Sequence, residues 1–200
     1  MSRLVDVDRA VELLGRGGVV AVPTDTVYGL AAAIEHPDAL ARLFALKDRP
    51  ASVALPVLAA SVAQIERLGV VWPERARRLA QSFWPGALTI VIAVDAPWAK
   101  RVGSAGRSVG FRIPADDLLL ALLARSGPLA VSSANLHGLA PCHSAADVVA
   151  TFGTREELDG VVDGGERTFE VSTVVDVSAK AWRVVRQGAI TTGALAALLD

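Results

Sequence analysis

Short apolar runs alternate with amphipathic segments along the whole chain, and this alternation limits the fold more than any other feature of the sequence. Asp6 precedes a helix-period stretch, Val7 to Gly15, whose Ala10, Val11, Leu13 and Leu14 fall on one face before Gly15 to Gly18 stop it. Gly18 to Val22 is a valine-rich run ended by Pro23, which reads as a buried strand emptying into the polar loop Thr24-Asp25-Thr26. Pro37 then opens a helix over Asp38 to Lys47, with Leu40, Leu43 and Phe44 facing inward. Further strands are expected at Val53 to Leu58, Leu88 to Val94, Ser108 to Ile113 and Leu129 to Ser132, then near Gly160 to Val162, Thr173 to Val177 and Trp182 to Val185. Helices are expected at Ser61 to Leu68, Pro73 to Phe83, Ala115 to Arg125, Ser144 to Phe152 and from Thr192 onward. Strands and helices in this mixed order define an α/β domain around a largely central twisted sheet.

Two hundred residues, 52% of them hydrophobic and 20% charged, with mean hydropathy +0.42, can bury a real core and predict a single domain over residues 1–200. The longest apolar stretches, Ala87 to Val94 and Leu118 to Ala124, fall short of the ~18 residues a spanning helix needs. No secretory pattern follows Met1-Ser2-Arg3-Leu4, so a cytoplasmic protein without membrane partners is expected. One cysteine, Cys142, excludes an internal disulfide and any zinc site built on cysteine pairs. A formal charge of -1 argues against bulk coating of nucleic acid and leaves room for a local basic groove. Lysine occurs only at Lys47, Lys100 and Lys180; arginine supplies the remaining cations, which suits bidentate contact with carboxylate or phosphate.

Neither a GxxxxGK[ST] loop nor a GxGxxG fingerprint occurs. Four strand ends instead deliver polar groups: Thr24, Thr26 and Tyr28; Arg112; Ser132, Ser133 and Asn135; Ser172 and Thr173. Lys47, Arg49 and Arg186 add positive charge from turns. This donor inventory fits phosphate and carboxylate groups, and an anionic small molecule in a crevice outside strand ends is the natural guest. Plainer readings stand beside it. Lys47-Asp48-Arg49 can be the solvated last turn of a helix, Ser132 to Asn135 a polar turn, and Arg112 the wet face of an alternating strand. Tyr28 can be a core residue with its hydroxyl satisfied, and Asp163-Gly164-Gly165 a tight turn needing positive φ. His137 lies four residues beyond Ser133, but no GxSxG elbow surrounds the serine. His137, Cys142 and His143 make a poor closed metal site, and no metal ligands are assigned.

The segment Gly18 to Pro50, with Pro-Thr-Asp-Thr-Val-Tyr-Gly-Leu at 23–30 and Lys-Asp-Arg-Pro at 47–50, closely resembles the YrdC family of threonylcarbamoyl-AMP synthases. Matches continue in order through Trp84-Pro85-Gly86, Val109 to Pro114, Ser133-Ala134-Asn135, Asp163-Gly164-Gly165, Ser172 to Asp176 and Arg186 with Gly188-Ala189-Ile190. The resemblance implies a twisted open mixed sheet flanked by helices, with a positively charged concave cavity for ATP and L-threonine. It implies synthesis of threonylcarbamoyl-AMP from L-threonine, bicarbonate and ATP with Mg²⁺, releasing pyrophosphate. A downstream transferase complex would then complete threonylcarbamoyl-adenosine on tRNA. By the same resemblance Lys47, Arg49, Ser108, Ser133, Asn135 and Arg186 would contact ATP, with Lys47 and Arg49 offsetting charge and no protein nucleophile. Thr26, Arg112 and Ser172 would hold threonine. The chain departs from the family pattern at Val53-Ala54, Leu58, Pro141-Cys142-His143, Val171 and Gln187. Two other readings remain open at this point. One is a non-catalytic relative binding tRNA or double-stranded RNA. The other is the carbamoyl-adenylate chemistry of hydrogenase-maturation carbamoyltransferases, whose zinc-finger-like cysteines are absent here.

Overall fold

A computed structural model describes residues 3–47, 54–104, 106–136, 138–167 and 170–200. Its strands form one sheet in the order β1 (Leu4–Val5), β8 (Gly160–Val162), β2 (Val19–Val22), β3 (Gly29–Ala33), β7 (Leu129–Ser133), β4 (Val57–Leu58), β6 (Ser108–Arg112), β5 (Leu88–Ala93), β9 (Thr173–Asp176) and β10 (Arg183–Arg186). Pairing is mixed. β8 runs parallel to both β1 and β2, β4 to β6, and β5 to β9, and the other neighbours are antiparallel. Among the described residues no helix is long and apolar enough to cross a membrane.

The helices start and stop where local chemistry dictates. Asp6 accepts the N–H of Arg9 to cap α1 (Val7–Gly15), and Pro37 opens α2 (Pro37–Leu46). Ser61 caps α3 (Val62–Arg67), and Pro73 precedes α4 (Glu74–Phe83). Asp116 caps α6 (Asp117–Ser126), which Gly127 ends at φ 81°. Ser144 and Asp147 form a reciprocal capping box at α7 (Ala145–Phe152), and Thr191 caps α8 (Thr192–Leu199). Three elements were not expected from the sequence: β1, β3 and the five-residue helix α5 (Ala96–Lys100), which Asp95 caps.

Side chains two apart on a strand share a face, and that parity divides the molecule. On one face, α1 and α6 pack their leucines onto Val20 and Val22 of β2, Ala31 and Ala33 of β3, and Leu129 and Val131 of β7. The opposite face carries the larger core, built with residues of α2, α4, α7 and α8 and including Ala21, Leu30, Ile90, Phe111 and Val175. Beyond β7 the α1/α6 face continues across β4, β6, β5 and β9 through Leu58, Gly110, Arg112, Thr89, Val91 and Val174, and there it forms the wall of a cavity.

Candidate active site

The cavity holds about 560 Å³. Its floor runs along the strands: Ser108, Gly110 and Arg112 are alternate residues of β6, with Thr89 and Val91 beside them on β5. The crevice is therefore a bare sheet face, whereas the sequence pointed to a cleft beyond strand ends. At two glycines on that face a side chain would displace a neighbour. A Cβ on Gly110 would lie 2.8 Å from Thr89 Cγ2, and one on Gly29 would lie 2.6 Å from Val131 Cγ1.

Arg112 is not on a wet face; it is 5% exposed. Its Nη2 donates to Asp25 Oδ1 at 2.6 Å, its Nη1 to Thr26 Oγ1 at 3.2 Å, and its Nε to the Gly86 carbonyl at 2.9 Å. Burial pushes the guanidinium pKa down and the Asp25 carboxylate opposes that shift. The loop supplying these partners is tied to itself. Thr24 Oγ1 donates to the Val27 carbonyl at 2.7 Å and accepts the N–H groups of Thr26 and Val27 at 3.0 and 3.2 Å. Asp25 was missed as a site residue, although it stands between the two threonines of the loop; its partner lies 87 positions away in the chain.

Across the cavity, Arg186 on the edge strand β10 donates through Nε and Nη2 to the Ser172 carbonyl and through Nη2 to Ser172 Oγ, all within 2.8–3.0 Å. Ser172 Oγ also lies 3.2 Å from Thr89 Oγ1. Burial lowers the Arg186 pKa, and the nearby positive charge of Arg112 lowers it further. Two guanidinium groups thus face one space, and among the described residues lining it there is no carboxylate. Such a wall favours an anionic guest.

Lys47 sits beneath the turn that ends β7 and is 2% exposed, so the solvated-turn reading fails for it. Its Nζ donates to the carbonyls of Ser133 and Asn135 and to Asn135 Oδ1, the last two at 2.8 and 3.0 Å. Ser133 Oγ donates to Asn135 Oδ1 at 2.5 Å, and Ser133 and Asn135 both line the cavity. Arg49, Val53 and His137, named in the sequence reading, lie outside the described residues. Of the departures from the family pattern, Ala54, Leu58, Pro141 and Val171 all line the cavity and make that wall apolar. Gln187 instead builds the turn before α8, bonding the carbonyls of Gly188 and Ile190 and the hydroxyl of Thr192.

Other sequence candidates turn out to be structural. Tyr28 is fully buried; its hydroxyl donates to the Gly165 carbonyl at 2.9 Å and accepts from the Gly164 N–H at 3.0 Å. Burial raises its pKa. Gly165 has φ 81°, the positive value its turn requires. His143 Nδ1 lies 2.5 Å from the Arg167 carbonyl, and buried Cys142 lies 3.7 Å from Thr151 Oγ1. Among the described residues no group of three His, Cys, Asp or Glu side chains could hold a metal ion. A second cavity, about 390 Å³, is walled mainly by Trp72, Trp84, Pro85 and Ile113, with Arg77 and Gln81.

Fold and site together define a mixed-sheet α/β protein with an arginine-lined cavity on one sheet face. The family model described as "Telomere recombination", Sua5/YciO/YrdC, matches residues 12–188, and the chain belongs to that family. It is 38% identical to a threonylcarbamoyl-AMP synthase of Bacillus subtilis over 199 residues, covering 96% of this chain and 56% of that protein. It is 36% identical over 164 residues to the Halorhodospira halophila protein of the same name, covering 82% of this chain and 85% of the relative. Among solved structures it superposes on Pyrococcus abyssi Sua5 complexed with L-threonine with TM-score 0.89 and 33% identity, over 96% of this chain and 57% of that one. The chain thus spans little more than half the length of the Bacillus and Pyrococcus relatives.

Proposed function

We propose that this chain, acting as one domain over residues 1–200, makes threonylcarbamoyl-AMP and pyrophosphate from L-threonine, bicarbonate and ATP. The observation that carries this reading is the convergence of Arg112, Arg186, Thr26 and Ser172 on one cavity that no carboxylate lines among the described residues. The names of the relatives favour it over an RNA-binding role. The threonine carboxylate takes the remaining N–H groups of Arg112, with the hydroxyls of Thr26 and Ser172 beside it. The triphosphate takes Arg186, Ser108, Ser133 and Asn135, with Arg49 from the adjoining segment. Lys47 contributes charge from beneath the turn while holding its donors in place.

The chemistry asks for no protein nucleophile. Threonine amine and bicarbonate combine to a carbamate with loss of water, and a carbamate oxygen attacks the α-phosphorus. The bond to the β-phosphate breaks and pyrophosphate leaves. Positioning and electrostatic stabilisation dominate such a transfer, and a fixed set of Arg, Lys, Ser and Asn donors is suited to both. Mg²⁺ enters as part of the nucleotide substrate, where it is held chiefly by phosphate oxygens. The product passes to a transferase complex that modifies tRNA, which sets the reaction in the cytoplasm.

The test is pyrophosphate release by purified protein given MgATP and bicarbonate, with and without L-threonine, with the adenylate identified by mass. Threonine-dependent release is the expected outcome. Absence of both release and ATP binding overturns the proposal.

A further inference from the structure

We infer that Thr89 is a positioning residue for the amino-acid substrate: its hydroxyl donates to Ser172 Oγ and so turns the one Ser172 hydroxyl hydrogen toward the substrate carboxylate. The inference rests on the threonine reading of this cavity. Thr89 and Ser172 both line the cavity, and each is 5% exposed. The antiparallel register that pairs Ile90 with Phe111 sets Thr89 beside Arg112. On its other side β5 pairs with β9, the strand that Ser172 directly precedes. Thr89 thus stands on the same floor as the guanidinium that takes the carboxylate and the serine that lies beside it.

Both branches of the Thr89 side chain are committed. Cγ2 packs over Gly110, where a Cβ would come within 2.8 Å of it, and Oγ1 lies 3.2 Å from Ser172 Oγ. A β-branched side chain has few χ1 choices, so the seat of the methyl fixes where the hydroxyl points. A hydroxyl has one hydrogen to donate and two lone pairs to accept with. Ser172 Oγ spends one lone pair on Arg186 Nη2 at 2.8 Å. The bond between the two hydroxyls uses one of their two hydrogens, and among the described residues no protein group accepts the other. Buried polar hydrogens are seldom left unmatched, so this one is reserved for a guest. The charge-assisted bond from Arg186 makes the Ser172 O–H the stronger donor, and an anionic carboxylate is a better acceptor for it than a neutral hydroxyl. Thr89 then fills the second lone pair of Ser172, and every valence of that oxygen is used.

Substitution separates the hydroxyl of Thr89 from its methyl. In calorimetric titration of the purified chain, Thr89→Val, which keeps the shape and lacks the hydroxyl, should weaken the Kd of L-threonine by about fivefold or more and move that of MgATP by less than about twofold. Equal weakening of both ligands overturns the inference. Thr89→Ser keeps the hydroxyl and should bind L-threonine within about threefold of wild type. If Thr89→Val does not fold, Thr89→Ala takes its place, since Ala and Ser both lack Cγ2 and differ only in the hydroxyl; Thr89→Ala should then bind about fivefold or more weakly than Thr89→Ser. Equal affinity with and without the hydroxyl overturns the inference. The readout that packing alone would not move is the cycle with Ser172→Ala. Once the Ser172 hydroxyl is gone, Thr89→Val should change the Kd of L-threonine by less than about twofold. The same loss persisting in the Ser172→Ala background overturns the inference, because Thr89 would then act without Ser172. Wild-type binding of L-threonine with all Thr89 variants unchanged sinks this inference alone; failure of the wild type to bind L-threonine overturns the reading of the whole cavity with it.

Discussion

The two halves of the sheet meet opposite demands with the same backbone. In the half formed by β1, β8, β2 and β3, every residue of β2, β3 and β8 is buried, and α1 and α6 cover the face that carries Val20, Val22, Ala31 and Ala33. In the half formed by β6, β5, β9 and β10, the equivalent face carries Ser108, Gly110, Arg112 and Thr89, and a cavity stands where the helices would be. The larger core on the other face supports both. The helix-covered face and the open cavity are thereby placed in different parts of one sheet, and substitutions in the two halves should have separable effects.

The sharpest way to break that separation is at Arg112. Arg112→Ala is expected to lower threonine-dependent pyrophosphate release by about 10²–10³-fold, the scale of losing one preorganised donor. Circular dichroism should report a folded protein whose Tm is lower, because Asp25 loses its partner in a nearly buried pair. Turnover within about tenfold of wild type would remove Arg112 from the site. In the covered half the pattern reverses. Leu14 is fully buried in the α1/α6 core, so Leu14→Ala should cost about 2–5 kcal/mol in denaturant unfolding. Turnover per folded molecule should stay within about twofold, as distant sites act independently.

A smaller effect lies outside both halves, at the capping box of α7. Ser144→Ala should cost about 1 kcal/mol and leave turnover unchanged. The His143 N–H and the Ser144 side chain hold the Asp147 carboxyl below the usual aspartate range. A depressed folded-state pKa gives stability that is present above the ordinary aspartate value of about 4 and is lost as pH falls through the folded value. The Ser144→Ala variant should therefore show a shallower acid limb than wild type in a stability titration. An unchanged limb would remove the box as its source.

Most helices were legible in the sequence because their ends carry local signals: Asp6, Pro37, Ser61, Ser144 and Gly127 act within one turn of themselves. Helix α5 carries such a signal too, in Asp95 and Pro97, but five residues are too few for a periodic pattern to stand out. Strand β3 was missed for a different reason. Gly29-Leu30-Ala31-Ala32-Ala33 has the composition of a weak strand former, and it is extended because β2 and β7 hydrogen-bond it from both sides. The candidate site residues were legible as residue types. Thr26, Arg112, Ser133, Asn135, Ser172 and Arg186 do line one cavity, and Asp25 is tied to it only through its ion pair with Arg112.

The sequence by itself determined most of the helices and strands, though not β1, β3 or α5; it also determined where the caps and the positive-φ turn at Gly165 fall, and which polar side chains stand at the edges of the apolar runs. Those properties depend on neighbours a few positions apart, where backbone preference and hydrophobic period act directly. Tertiary structure decided the strand order, and with it that β6 lies beside β5 and that Arg186 reaches Ser172 across β9 and β10. It also decided that Arg112 and Lys47 are buried and partnered instead of solvated. These outcomes turn on contacts between residues tens of positions apart, and on whether a helix covers a given stretch of sheet face, which no local pattern records.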